Sequence, residues 1–197
     1  VSTAARVEGV DRDAAHHEEM DMDSQKSERR VGSAAKLGAA LFALWGVLHV
    51  WVGVEGARQY LIGGTRALWT MFLGGPNAPI GGYQHPVDAV TATVQGHLAL
   101  NFALDVGGYG LLGLAVAWMI GRHGSWAAYL IGVVVIGVAD LAFLFTQVTP
   151  GLIAANAGTI GGPVIWALAC AVTPFGLTSH RNAGGTHAPM EPQAGAV

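Results

Sequence analysis

Between Ser33 and Thr178 the chain carries only eight Asp, Glu, Lys or Arg side chains in 146 residues. So few charges cannot cover a water-facing surface. A soluble domain carries roughly 25% charged residues, and this whole chain has 12%. The charges are also gathered at the front, since eight of the thirteen acids lie before residue 34. That pattern disfavours a soluble enzyme. The lone Cys170 excludes a disulfide scaffold and any reductase that needs a thiol pair. A net charge of −3 without a basic cluster speaks against a nucleic-acid partner. The expectation is an all-α, integral membrane four-helix bundle in contact with lipid.

A helix needs roughly 20 mostly apolar residues to cross the hydrocarbon. Four runs meet that need within a domain over 34–178: about 34–55, 93–120, 126–148 and 159–178. The second is long enough to tilt or to project past the bilayer. Residues 1–33 and 179–197 have the composition of disordered tails, in which His16 and His17 read as solvated. The first run starts behind a polar tail and is therefore no cleavable signal peptide; a GTG start would explain Val1, with Met20 or Met22 as other starts. Lys26, Arg29, Arg30 and Lys36 flank helix one, Arg122 lies in the second loop and Arg181 follows helix four. By the positive-inside rule both termini face the cytoplasm of a bacterial-type inner membrane. The first loop, roughly Gly56 to Ala92, is punctuated by glycine pairs. Its Leu68, Trp69, Met71, Phe72 and Leu73 are expected at the outer interface or capping the bundle. Gly107-Gly108, Gly132, Gly137 and Gly161-Gly162 read as close-packing positions between helices.

Ionisable groups inside a membrane are costly and each needs a reason. Helix two carries His97, Asn101 and Asp105 at spacings of four, one turn apart on one face, with Gln95 beside them. Helix one has His49, then Glu55 and Arg58, which read as an interfacial ion pair. Helix three has Asp140, then Thr146 and Gln147. With alternating helix directions, His49, His97, Asp105 and Asp140 all fall in the outer half, where a shared polar pocket is expected. Asn101 and Gln147, taken singly, read as helix-to-helix hydrogen-bonding residues, and Cys170 as a small core residue. His49, His97 and Asp105 offer three donors for a zinc ion, though at no recognised spacing. Haem asks only for one or two axial ligands in an apolar cleft, and His49 and His97 are expected at similar depth on adjacent helices.

Two stretches carry a family resemblance. One is Ala99-Leu100-Asn101, following a histidine; the other is Leu144-Phe145-Thr146-Gln147-Val148-Thr149-Pro150, leading through a loop to Gly162-Pro163. In these, and in the number and order of spans over residues 40–175, the chain resembles the styrene oxide isomerases. The resemblance implies a haem b held by a helix-two histidine, whose ferric iron draws on an epoxide oxygen and yields an aldehyde by hydride shift. Asn101 would match the active-site asparagine. The family's ligand histidine lies six residues before that asparagine, where this chain has Gln95 and then His97. Phe143 stands where the family has a tyrosine, and Asp140 lies near its acidic position. The resulting expectation is a haem-binding isomerase of a small lipophilic epoxide. His97 is the preferred axial ligand, and Asn101 with Asp105 or Asp140 orients the oxygen; His49 is a further cofactor-binding candidate, and bis-histidine ligation by His49 and His97 would instead favour electron transfer, because a Lewis-acid iron needs an open coordination site. A homo-oligomer is expected. The competing expectation is a non-enzymatic membrane subunit whose polar residues only fasten helices and partners.

Overall fold

The computed structural model describes residues 31–182, with side chains through 177. Most of both tails therefore lies outside the described residues, and with them His16, His17, Met20 and Met22. Four helices account for nearly all of the rest: α1 Ser33–Phe72, α2 Ala89–His123, α3 Trp126–Val148 and α4 Ala157–Asn182. Each contains a stretch long and apolar enough to cross a membrane. Among the described residues there is no β-strand, only one isolated bridge between Gly75 and Ala78.

The packing follows from small residues. On α2, Gly96, Ala103, Gly110 and Ala117 recur every seven residues and are all buried. A seven-residue stripe keeps one face against a partner helix, and small residues let two backbones approach closely. The partner is α1. A Cβ on Gly53 would lie 2.5 Å from Gly107 Cα, and one on Gly46 would lie 2.8 Å from the Gly110 carbonyl oxygen. At its start α1 meets α4, where Gly38 leaves room for the buried Thr173. Phe42 rests on Gly132 of α3, and Trp166 of α4 rests on Gly137. The outer faces carry large apolar side chains, among them Leu61, Leu98, Leu111 and Val134.

The first helix departs from expectation. It does not stop near residue 55 but continues, and at Gly64 the backbone takes φ 61° and ψ −153°. That conformation is in effect reserved for glycine. The chain reverses there, because the Phe72 ring returns to Gly56, where an added Cβ would lie 3.1 Å from Cζ. In one straight helix those two residues would be about 24 Å apart. Residues 65–72 thus form a short re-entrant helix that buries Leu68. The loop that follows is sewn to the α3–α4 connection. Gly75 N–H donates to Leu152 O at 3.0 Å, Asn77 N–H to Gly151 O at 2.9 Å and Asn77 Nδ2 to Pro150 O at 2.8 Å.

Two proline and indole contacts shape the other helices. Pro174 lies inside α4 and brings no N–H, which removes the helical donor four residues after Cys170. The Tyr129 hydroxyl donates to the Cys170 carbonyl instead, at 3.0 Å. In α3 the residues Gly132–Ile136 and Leu144–Val148 are wound as π-helix on either side of Gly137–Phe143. Trp166 Nε1 donates to Gly132 O at 3.0 Å, so a side chain from α4 takes a carbonyl of the first widened turn. Such π segments concentrate at functional sites, and here they bracket Asp140.

Candidate functional site

Asp140 is 4% exposed on α3 and faces α1. A buried carboxyl group needs hydrogen-bond partners to be tolerated. Trp45 of α1, itself 1% exposed, donates from Nε1 to Asp140 Oδ2 at 3.0 Å. One turn further along α1, the His49 ring stacks on the Trp45 indole with centroids 3.7 Å apart. His49 Nδ1 lies 2.8 Å from the Trp45 carbonyl oxygen. A carbonyl only accepts, so Nδ1 carries the hydrogen and Nε2 is the free nitrogen. Gly162 of α4 closes the back of the ring; a Cβ there would come within 3.0 Å of His49 Cε1.

Nε2 and Asp140 Oδ1 are 3.9 Å apart. That is too long for a direct hydrogen bond, yet one oxygen atom fits between them at about 2.8 Å from each. The gap opens on a cleft of about 620 Å³ lined by all four helices and partly open to the outer surface of the bundle. Its wall is mostly apolar and aromatic, with Trp51, Phe72, Phe102, Tyr109 and Phe143, and it is polar at His49, Asp105, Asp140, Thr146 and Gln147.

The anticipated site residues divide. His49, Asp105 and Asp140 all line this one cavity. Asp105 is reached by Asn101, whose Nδ2 donates to Oδ2 at 2.7 Å, but Asn101 is exposed and lies off the cavity wall. His97 is likewise exposed and off the wall. The expectation that residues 97, 101 and 105 all turn inward is therefore corrected. The α1-facing side of α2 belongs to the glycine and alanine stripe, and its cavity face to Phe102, Asp105, Val106 and Tyr109. The expected common depth of His49 and His97 is corrected as well. Gly96 packs against Tyr60 and Thr65, so His97 sits level with Tyr60, eleven residues beyond His49. At 1.5 Å per residue that is about 16 Å along the helix axis.

Two axial nitrogens must each lie about 2 Å from one metal, and His49 and His97 do not meet that condition. His97 faces outward, and the free nitrogen of His49 faces a carboxyl group. The residues present do not form a ligand pair for a haem inside the bundle. Among the described residues no three His, Cys, Asp or Glu side chains gather as metal donors, so the grouping of His49, His97 and Asp105 for zinc is not formed. Arg58 does form the expected pair with Glu55, from Nε at 2.7 Å and from Nη2 at 2.6 Å, and Gln59 adds a third bond.

Trp45 is the residue that sequence reasoning missed. Its one signal is general: an indole N–H inside an apolar helix needs an acceptor, and Asp140 is the buried carboxyl group available. No family model, no curated protein and no solved structure matches the chain.

Proposed function

We propose that the four helices span a membrane, with both termini on the cytoplasmic side, and that the chain is an isomerase of a small lipophilic epoxide or related oxygen compound. The reading rests on one observation above all: a carboxyl oxygen and a free imidazole nitrogen, 3.9 Å apart, facing a largely apolar cavity. The lipid setting rests on the sparse charges of residues 33–178 and on the apolar outer faces.

The chemistry is proton transfer. The substrate oxygen sits in the gap, and Asp140 Oδ1 gives it a proton as the ring C–O bond breaks. A hydride then moves from the carbon bearing the oxygen to its electron-poor neighbour. His49 Nε2 takes the hydroxyl proton, and the carbonyl forms. Passage of one proton from His49 back to Asp140 resets the pair, so the reaction is redox-neutral and needs no co-reactant. Trp45 holds Asp140 by its second oxygen and carries the His49 ring on its face, which makes it a positioning residue. The aromatic faces along the cavity favour the developing cation, and the Asp105 carboxylate adds to that. A positioned acid or base contributes typically 10²–10⁴ in rate.

The test is aldehyde formation from epoxydecane by the purified protein in lipid nanodiscs. Asp140→Asn should lower turnover by roughly 10²–10⁴, and His49→Gln should act in the same direction, with both variants folded. Turnover indifferent to Asp140 removes the reading. No turnover at all, together with loss of co-purifying partners in Asp105→Asn, supports the non-enzymatic subunit instead.

A further inference from the structure

The cleft turns around α3. Successive helical residues advance by about 100°, so Asp140 and Ala142 project from nearly opposite sides of that helix, yet both line the cleft. Phe143 and Ala139 continue its wall between them. The far flank of the wall is Val138, Ala142 and Thr146, one turn apart and all exposed. On α2, Asp105 and Tyr109 likewise line the cleft and are exposed. Residues that line a cleft and are also open to the outside mark its mouth. The mouth forms because α2 packs against Trp126–Ile136 of α3, and past that stretch α3 leans on α4 instead.

The other ways in are obstructed. At one end Met71 and Phe72 of the re-entrant helix roof the cleft, and the loop after them is tied to the α3–α4 connection through Gly75 and Asn77. At the opposite end Phe42, Val116, Ile120 and Ile136 are buried and fill the bundle. Between α1 and α4 the His49 ring lies against Gly162. That seam is narrowed to the edge beside Trp51, whose exposed indole lines the cleft there. The mouth therefore opens sideways, across the bundle axis.

We infer that the cleft takes its ligand sideways from the acyl-chain layer, through the mouth between α2 and α3. The ligand is a long alkyl chain with the reacting oxygen at one end, and its tail passes out through the mouth to lie in lipid. The inference rests on the proposed function for the identity of the oxygen-bearing end. A helix with its side chains is about 10 Å across, and an extended chain gains roughly 1.2 Å per bond. About eight carbons thus reach from the Asp140–His49 gap to the mouth. Carbons beyond those stay in hydrocarbon whether the ligand is bound or free, so they leave affinity unchanged. The α3 side of the mouth suits an apolar chain: Ala142 carries one methyl, and the Thr146 hydroxyl already donates to Ala142 O at 2.7 Å.

The probes are the terminal epoxides epoxyhexane, epoxydecane and epoxyoctadecane. Binding to the full chain in nanodiscs is measured by calorimetry against empty nanodiscs, with dissociation constants expressed as mole fractions in lipid. In wild type, epoxydecane and epoxyoctadecane should agree within about fourfold, the worth of one methylene. A larger loss for the longer chain overturns the inference, because a closed cleft, or a second copy seated over the mouth, would exclude the tail. Ala142→Trp puts bulk into the mouth at an exposed position. It should weaken epoxyoctadecane about tenfold or more and leave epoxyhexane, which fits inside, within about fourfold. Val134→Trp adds the same bulk on the outer face of the same helix, off the cleft wall, and should change neither. Unchanged epoxyoctadecane binding in Ala142→Trp overturns the inference and points to a route past Trp51. An equal loss for the two probes, or the same selective loss in Val134→Trp, overturns it too. Turnover separates the two ideas. Length-tolerant binding that Ala142→Trp abolishes, without any turnover, sinks the acid–base reading and leaves the mouth standing. Asp140-dependent turnover of epoxyhexane with epoxyoctadecane excluded does the reverse.

Discussion

The contact between α1 and α2 can be weighed with two alanine substitutions of the same chemistry. In Gly53→Ala the new methyl would lie 2.5 Å from Gly107 Cα, 2.7 Å from Gly107 N and 2.9 Å from the Ala103 carbonyl oxygen. Carbon atoms in good contact sit about 3.5–4.0 Å apart, so the backbones must separate by about an ångström. Overpacking of that order costs about 1–3 kcal/mol. Against it stands a helix-propensity gain of roughly 0.5–1 kcal/mol for alanine over glycine. Gly108→Ala receives the same gain, and its methyl meets nothing within 4 Å. The propensity term cancels between the two variants. Their difference isolates the steric term, at about 1–3 kcal/mol with Gly53→Ala the less stable. Reversible unfolding in mixed micelles, followed by circular dichroism, measures it. If the two variants agree within about 0.5 kcal/mol, the helices do not meet through this stripe and the depth assigned to His97 loses its basis.

Gly64→Ala should cost about 1–3 kcal/mol although the space beside it is open, because only the conformation is at fault; the same unfolding assay applies, and a neutral result removes the reversal. Trp45→Phe should cost about 1–3 kcal/mol by leaving Asp140 Oδ2 without its donor, with a fall in turnover that is smaller when Asp140 is already Asn. Asp88 caps α2, and hydrogen bonds from the Thr91 hydroxyl and from the Thr91 N–H at 2.9 Å hold its carboxyl below the usual range. A depressed carboxyl group stabilises the folded state above its ordinary range, and that contribution is lost as pH falls through the lowered value. The protection of the first turn of α2 against hydrogen exchange, taken relative to the pH-dependent intrinsic rate, should therefore fall on acidification in wild type and stay flat in Asp88→Asn, which caps without titrating.

The four long apolar helices were legible because the lack of charge over residues 33–178 leaves no other fold to a chain of this length. That His49, Asp105 and Asp140 share a cavity follows from helix direction and depth. The place of His97 was not legible, because depth on an antiparallel partner depends on register. Register is set here by Gly46, Gly53, Gly107 and Gly110, which have no side chains to announce it. The glycine pairs were half informative: Gly107 and Gly162 touch a neighbour, while Gly108 and Gly161 have open space. The re-entrant helix was hidden because Gly63-Gly64 reads equally well as the end of a helix or as a reversal within one.

Infrared difference spectroscopy of the carboxyl region, with and without epoxydecane, addresses the central claim most directly. If the substrate oxygen occupies the gap between Asp140 and His49, binding shifts the Asp140 carboxyl band, and the difference signal vanishes in Asp140→Asn. A difference spectrum unaltered by Asp140→Asn, at ligand concentrations where calorimetry shows binding, would place the substrate elsewhere and contradict the account.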